Sequence, residues 1–98
     1  MTWGAAMLKF EWDNPKAIAN RRKHGVSFDT AATAFGDALS LTIADASTMA
    51  GEARFILLGQ TPAGELLVVV HVVRNVTIRL ISPRPATRRE RMAYEQGG

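Results

Sequence analysis

The densest chemistry in the chain is a run of cations: Arg79, Arg84, Arg88, Arg89 and Arg91, five of the nine arginines, fall within thirteen residues. Guanidinium forks match phosphate oxygens in shape and stay charged at any working pH, so this segment points to a polyanion or an acidic partner. In an extended segment Arg79 shares a face with Thr77 and Ile81, which presents a cation beside a hydroxyl on one sheet surface. Its ordinary alternative is to snorkel or to pair with a carboxylate such as Glu90 or Glu95. Arg88, Arg91 and Glu95 follow helical spacing, and each read alone is equally a residue of a solvated charged face.

Proton transfer needs a different residue type. His24, in Lys23-His24-Gly25, has two readings: a histidine capping a helix C-terminus, favoured by the helix dipole, or a proton donor or acceptor beside a phosphate with Lys23 as supporting cation. His71 lies inside an apolar run and reads as a satisfied core or sheet-face histidine. Tyr94 reads either as the edge of a core or as a phenol facing the arginines. Glu52 and Arg54 fit an ordinary cross-strand pair. Two distant histidines without HExxH spacing, in a chain with no cysteine, make no metal site, and no glycine-rich phosphate loop or GxSxG nucleophile occurs. The expected chemistry has neither metal nor cofactor.

These residues need elements to hold them. Lys9-Phe10-Glu11-Trp12 reads as a first strand. Asp13 is an N-cap with Pro15 in the first turn, Lys16 to His24 is helical, and Gly25 stops the helix. Ser27 caps a second helix with Phe28, Ala31, Ala32 and Phe35 on one face, ending at Gly36. The period then shifts to two. Strands are expected at Leu39–Ile43, Phe55–Gly59, Leu66–Val73 and Val76–Ser82, separated by a loop over Ala44–Gly51, a turn at Thr61–Gly64 and a hairpin turn at Arg74-Asn75. Leu66–Val73 is apolar on both faces and is expected in the centre. Pro83 and Pro85 are expected to break the ladder, and Ala86 to Gln96 to form a terminal helix. The order β-α-α-β-β-β-β-α predicts an α+β domain, an antiparallel sheet with the helices packed on one side and the opposite face partly open for function.

At 98 residues, 47% hydrophobic and 21% charged, the chain suits one small globular domain and not a disordered one. The net charge of +3 matters less than its concentration near the C-terminus. The longest apolar run is too short to span a bilayer, so no membrane is expected, and the N-terminus lacks the basic flank of a secretory signal. A reducing cytoplasm fits the absence of cysteine. Met7 is an alternative start.

Several strings in order carry a resemblance: Phe10-Glu11-Trp12-Asp13, Lys16, Asn20, Lys23-His24-Gly25-Val26, Phe28, Phe35-Gly36-Asp37, Glu52-x-Arg54-Phe55, His71, Arg79-x-Ile81-Ser82-x-Arg84-x-Ala86 and Glu90-Arg91-x-x-Tyr94-Glu95. From Phe10 to Glu95 the sequence resembles the BrnT family of toxins of type II toxin–antitoxin modules, which are similar in fold to RelE-like ribonucleases. The resembling domain is drawn at residues 9–96, with flexible ends at 1–8 and 97–98. The resemblance implies an RNA-cleaving toxin that arrests growth. It also implies a BrnA-like ribbon-helix-helix antitoxin, with a heterotetramer as the expected complex, and operator DNA reached only through the antitoxin. One departure is visible: family members commonly have a small residue between Ser82 and Arg84, where this chain has Pro83, and with Pro85 the segment is more rigid. Metal-free cleavage by this class would use the 2′-hydroxyl as nucleophile. The resemblance then implies Arg54, Arg79 and Arg84 as phosphate ligands, His24 and Tyr94 as candidates for proton transfer, and Lys23 as a supporting cation. Arg88 and Arg91 are left to extend the RNA track or meet antitoxin. The alternative is a non-catalytic nucleic-acid-binding or protein-interaction module of the same fold.

Overall fold

The computed structural model describes residues 8–46 and 52–97. Most of the N-terminal end, Gly98 and residues 47–51 of the expected Ala44–Gly51 loop lie outside the described residues. Strand β1 is Lys9–Glu11. Helix α1, Asn14–His24, starts where the Asp13 carboxylate accepts the Lys16 N–H at 3.1 Å. It ends at Gly25, which at φ 74° adopts the left-handed conformation a side chain would oppose and returns its N–H to Arg21 O. Helix α2, Phe28–Thr33, is capped by Ser27 and tightens into a 3-10 turn at Ala34–Gly36. Strands β2 Leu41–Ala44, β3 Arg54–Gln60, β4 Leu66–Arg74 and β5 Thr77–Pro85 follow, and helix α3 spans Arg88–Glu95.

The five strands form one sheet in the order β1-β5-β4-β3-β2, with β4 central as its two-faced apolarity requires. The sheet is mixed, not purely antiparallel. β1 lies parallel to β5, pairing Lys9 with Thr77, Phe10 with Ile78 and Glu11 with Arg79. No hairpin joins these two strands; every other strand intervenes in the chain, so no tight turn imposes an antiparallel return.

Alternation of side chains gives each face a job. Leu57, Leu67, Val69, Ile78 and Leu80 form the main core with Val26, Phe28, Ala31 and Ala34 of the α1–α2 layer. Gly59 belongs to this face because Ala34 O passes 2.8 Å from where a Cβ would stand. The other face presents Ile56, Leu58 and Val68, and α3 lies over it: Glu90 and Ala93 line a cavity of about 270 Å³ with those residues and with Leu41 and Ile43. The helices therefore occupy both faces, against the one-sided layer expected from their order. The terminal helix follows Pro85 by only a short link, and Ala86 N is bonded to Leu66 O, which holds the chain at the sheet's end. From there it turns under the second face.

Three local expectations are also corrected. Pro83 and Pro85 do not end the ladder; β5 runs through both, opposite Val69 and Leu67. Being two residues apart, both turn their missing N–H to the same edge, where β1 has already stopped at Glu11 and no ladder bond is lost. The hairpin turn falls at Asn75-Val76, with Asn75 at φ 56° and Arg74 paired with Thr77. The terminal helix begins at Arg88 behind a Thr87 cap, not at Ala86.

Candidate active site

One row crosses the second sheet face: Arg54 of β3 is opposite Val72 of β4, Val72 is opposite Arg79 of β5, and Arg79 is opposite Glu11 of β1. Paired residues point to the same side, so the two arginines stand about 10 Å apart at their Cα atoms with Val72 between them. Val72 is 1% exposed, so the ground between the two cations is nearly dry. Glu11 Oε1 lies 3.6 Å from Arg79 Nη1, with the two side chains 44% and 34% exposed. Arg79 thus pairs with Glu11, and not with Glu90 or Glu95, the carboxylates named for its alternative reading. The parallel neighbour that makes this possible was not expected. One row farther out Arg74 Nη2 is 3.6 Å from Glu52 Oε2, so Glu52 pairs there in place of Arg54.

Ile81 does not share this face with Arg79 in a regular register. Leu80 pairs with His71 and Ser82 with Val70, leaving Ile81 as the extra residue of a bulge. Beyond it Arg84, opposite Val68, returns to the second face under α3. Its two terminal nitrogens donate to Glu90 Oε1 and Oε2 at 2.8 and 2.7 Å. Glu90 also accepts Thr87 N at 2.8 Å and closes a capping box, and these bonds hold its carboxyl at about 2. Arg84 is therefore a cation already matched by a carboxylate.

The proton-transfer candidates are dispersed. Tyr94 Oη donates to Asp37 Oδ2 at 2.6 Å, and that carboxylate also accepts Gln60 N at 2.8 Å. The phenol's pKa is raised, first because ionisation would lose the hydrogen bond it donates to Asp37, then through desolvation and the charge of the facing carboxylate. Gln60 is at the far end of β3, about 20 Å of strand from Arg54, so Tyr94 is not brought to the arginine row. His24 is half-buried on the last turn of α1, and Lys23 beside it is exposed. Four residues earlier on that stripe, Asn20 Nδ2 donates to Pro83 O at 2.8 Å and Asn20 Oδ1 accepts Ser82 Oγ at 3.1 Å, fastening α1 to the edge of β5 that β1 leaves open. Arg88 and Arg91 are exposed on α3. His71 is buried, donates Nδ1–H to Val69 O at 3.0 Å and meets Phe35 and Phe55; its neutral imidazole is the satisfied core histidine expected.

Sequence reasoning did not single out Glu11 or Asp37 as participants. Alternation with Phe10 and Trp12 was the available signal for Glu11, since burying those rings turns the carboxylate outward. Among the described residues no group of three or more His, Asp or Glu side chains could hold a metal ion, and no helix is long and apolar enough to cross a membrane.

A mixed α+β sheet with one sealed face and a second face bearing an arginine row defines a small cationic domain suited to a phosphodiester. The chain belongs to the family of ribonuclease toxins, BrnT, of type II toxin–antitoxin systems, whose model matches residues 12–90. Its fold is similar to the 1.1 Å crystal structure of the Brucella abortus ribonuclease toxin BrnT. The TM-score is 0.63 at 23% identity, over 83% of this chain and 99% of that one. No curated protein matches.

Proposed function

We propose that this toxin cleaves RNA without a metal ion, by attack of a ribose 2′-hydroxyl on the adjacent phosphate, at the Arg54–Val72–Arg79 row of the second sheet face. The observation that carries the reading is the placement of Arg54 and Arg79 on either side of the sealed Val72. Two guanidinium forks over dry ground favour the extra charge that develops on the phosphoryl oxygens, because fixed donors there need no reorganisation. Arg84, kept in place by Glu90, borders the phosphate track along β5 and adds its charge at that end. Lys23 and His24, fastened near β5 through Asn20, serve the 5′ leaving group as cation and proton donor. Tyr94 holds α3 to Asp37 and takes no part in the reaction.

Growth arrest follows from loss of RNA in the cytoplasm, and a BrnA-like ribbon-helix-helix antitoxin restores growth by covering this cationic surface. The exposed Arg88 and Arg91 support an acidic partner there. A heterotetramer carries the operator-binding function through the antitoxin.

Purified protein, incubated with RNA in EDTA with and without ribosomes, is expected to leave 2′,3′-cyclic phosphate ends. Arg79→Ala is expected to slow cleavage by about 10²–10³-fold while melting like the wild type, the cost usual for removing one preorganised donor. Activity lost in EDTA and restored by a divalent ion would refute the metal-free reading. An Arg79→Ala protein as active as the wild type would refute the site.

A further inference from the structure

Arginines stabilise charge but do not take protons, since they remain cationic at any working pH. The attacking 2′-hydroxyl must still lose one. Four carboxylates stand on or beside the second face among the described residues. Asp45 follows β2 with its N–H bonded to Arg54 O, on the far side of Arg54 from Arg79. Glu90 is committed to Arg84, Thr87 N and a pKa of about 2, which makes it a poor acceptor as well as a shielded one. Glu52 is drawn to Arg74, at the end of the strands and outside the Arg54–Arg79 row. Glu11 is in the row itself. β1 delivers it beside Arg79 by parallel register, and its side chain is 44% exposed with a contact of 3.6 Å, too long for a committed hydrogen bond. A carboxylate left partly open beside a phosphate-binding guanidinium can accept a proton from a hydroxyl held by the same arginine.

We infer that Glu11 is a catalytic residue of this toxin, the proton acceptor for the 2′-hydroxyl of an RNA strand whose scissile phosphate sits on Arg79 and Arg54. The inference rests on the reading of this face given above. In the step, the 2′-O–H bond breaks and its proton passes to the Glu11 carboxylate while the 2′-oxygen forms a bond to phosphorus. The P–O5′ bond breaks, its electron pair goes to O5′, and that oxygen takes a proton from His24 or from water. Glu11 then returns its proton to solvent. The products are a 2′,3′-cyclic phosphate and a free 5′-hydroxyl, with no oxidation or reduction.

The role makes a prediction that a structural role does not. Removing the negative charge of Glu11 leaves the face more cationic, so RNA should bind as well or better while cleavage fails. A merely structural Glu11 holds Arg79 in place, and its loss would weaken binding. The test uses the whole chain, an RNA oligonucleotide for cleavage, and the same strand fully 2′-O-methylated, which cannot react, for binding. Glu11→Gln is expected to lower kcat by about 10²–10⁴-fold and to bind the methylated strand unchanged or a few-fold tighter. Glu11→Asp is expected to regain part of the rate. Cleavage by Glu11→Gln within threefold of wild type, or binding weakened as much as cleavage, would overturn the assignment. A strong loss in His24→Gln beside an active Glu11→Gln would transfer the role to His24. If instead Arg79→Ala binds and cleaves like the wild type, the reading of the face fails, a result distinct from an active Glu11→Gln on an intact Arg79 site.

Discussion

The two arginines of β5 show how neighbours decide what one residue type does. Arg84 meets Glu90 in a fork-to-fork pair and is held, whereas Arg79 meets Glu11 only at 3.6 Å and keeps capacity for a ligand. His71 makes the converse case, a reactive residue type used for packing. Burial lowers its pKa below the ordinary 6.5 and outweighs the hydrogen bond to Val69, so the folded protein holds it neutral. Below the unfolded value the unfolded chain binds the extra proton and the native one resists it, so acid removes stability. The urea midpoint is expected to fall between about pH 7.5 and about pH 5.5, and His71→Leu, though less stable throughout, is expected to show a flatter dependence.

Among the elements, α3 depends most on a single side chain. Glu90 closes the capping box with Thr87 and binds Arg84, so one carboxylate both starts the helix and fastens it to β5. Both partners are about a third exposed, so solvent weakens the pair well below what the pKa of about 2 alone suggests. Glu90→Gln is expected to cost about 1–2 kcal/mol at neutral pH. A carboxyl held at about 2 against an ordinary 4.5 contributes stability above 4.5 that is lost as the pH falls toward 2. The difference between wild type and variant in chemical denaturation should therefore close over that range. Thr87-x-x-Glu90 is a capping-box pattern written in four neighbouring residues, and it sets the helix start at Arg88. The proline ladder has no such local signature, because whether a missing N–H matters depends on which edge it faces, and that edge is set by a strand some seventy residues earlier.

For the whole molecule, +3 is a modest charge, so RNA affinity must come from where the cations stand. Each phosphate neutralised on a single strand releases counterions and contributes about 0.7 to the slope of log affinity against log salt. Arg54→Ala and Arg79→Ala are each expected to reduce that slope by about 0.7 in binding titrations with the 2′-O-methylated strand, and His71→Leu to leave it unchanged. Much of the architecture could be read from local pattern. Asp13, Ser27 and Gly25 bound the first two helices as their side chains and backbone freedom dictate, and the two-faced apolarity of Leu66–Val73 put β4 in the middle of the sheet. The family too was legible in strings such as Lys23-His24-Gly25 and Arg79-x-Ile81-Ser82. What the tertiary structure alone decided was partnership: Glu11 beside Arg79, Glu90 on Arg84, Tyr94 on Asp37, and α3 on the face opposite α1 and α2. The reason is physical. Caps, turns and periodicity act within a few residues and are written in neighbouring letters. The parallel pairing of β1 with β5 and the path of α3 join residues far apart in the chain, whose juxtaposition exists only once the core has closed.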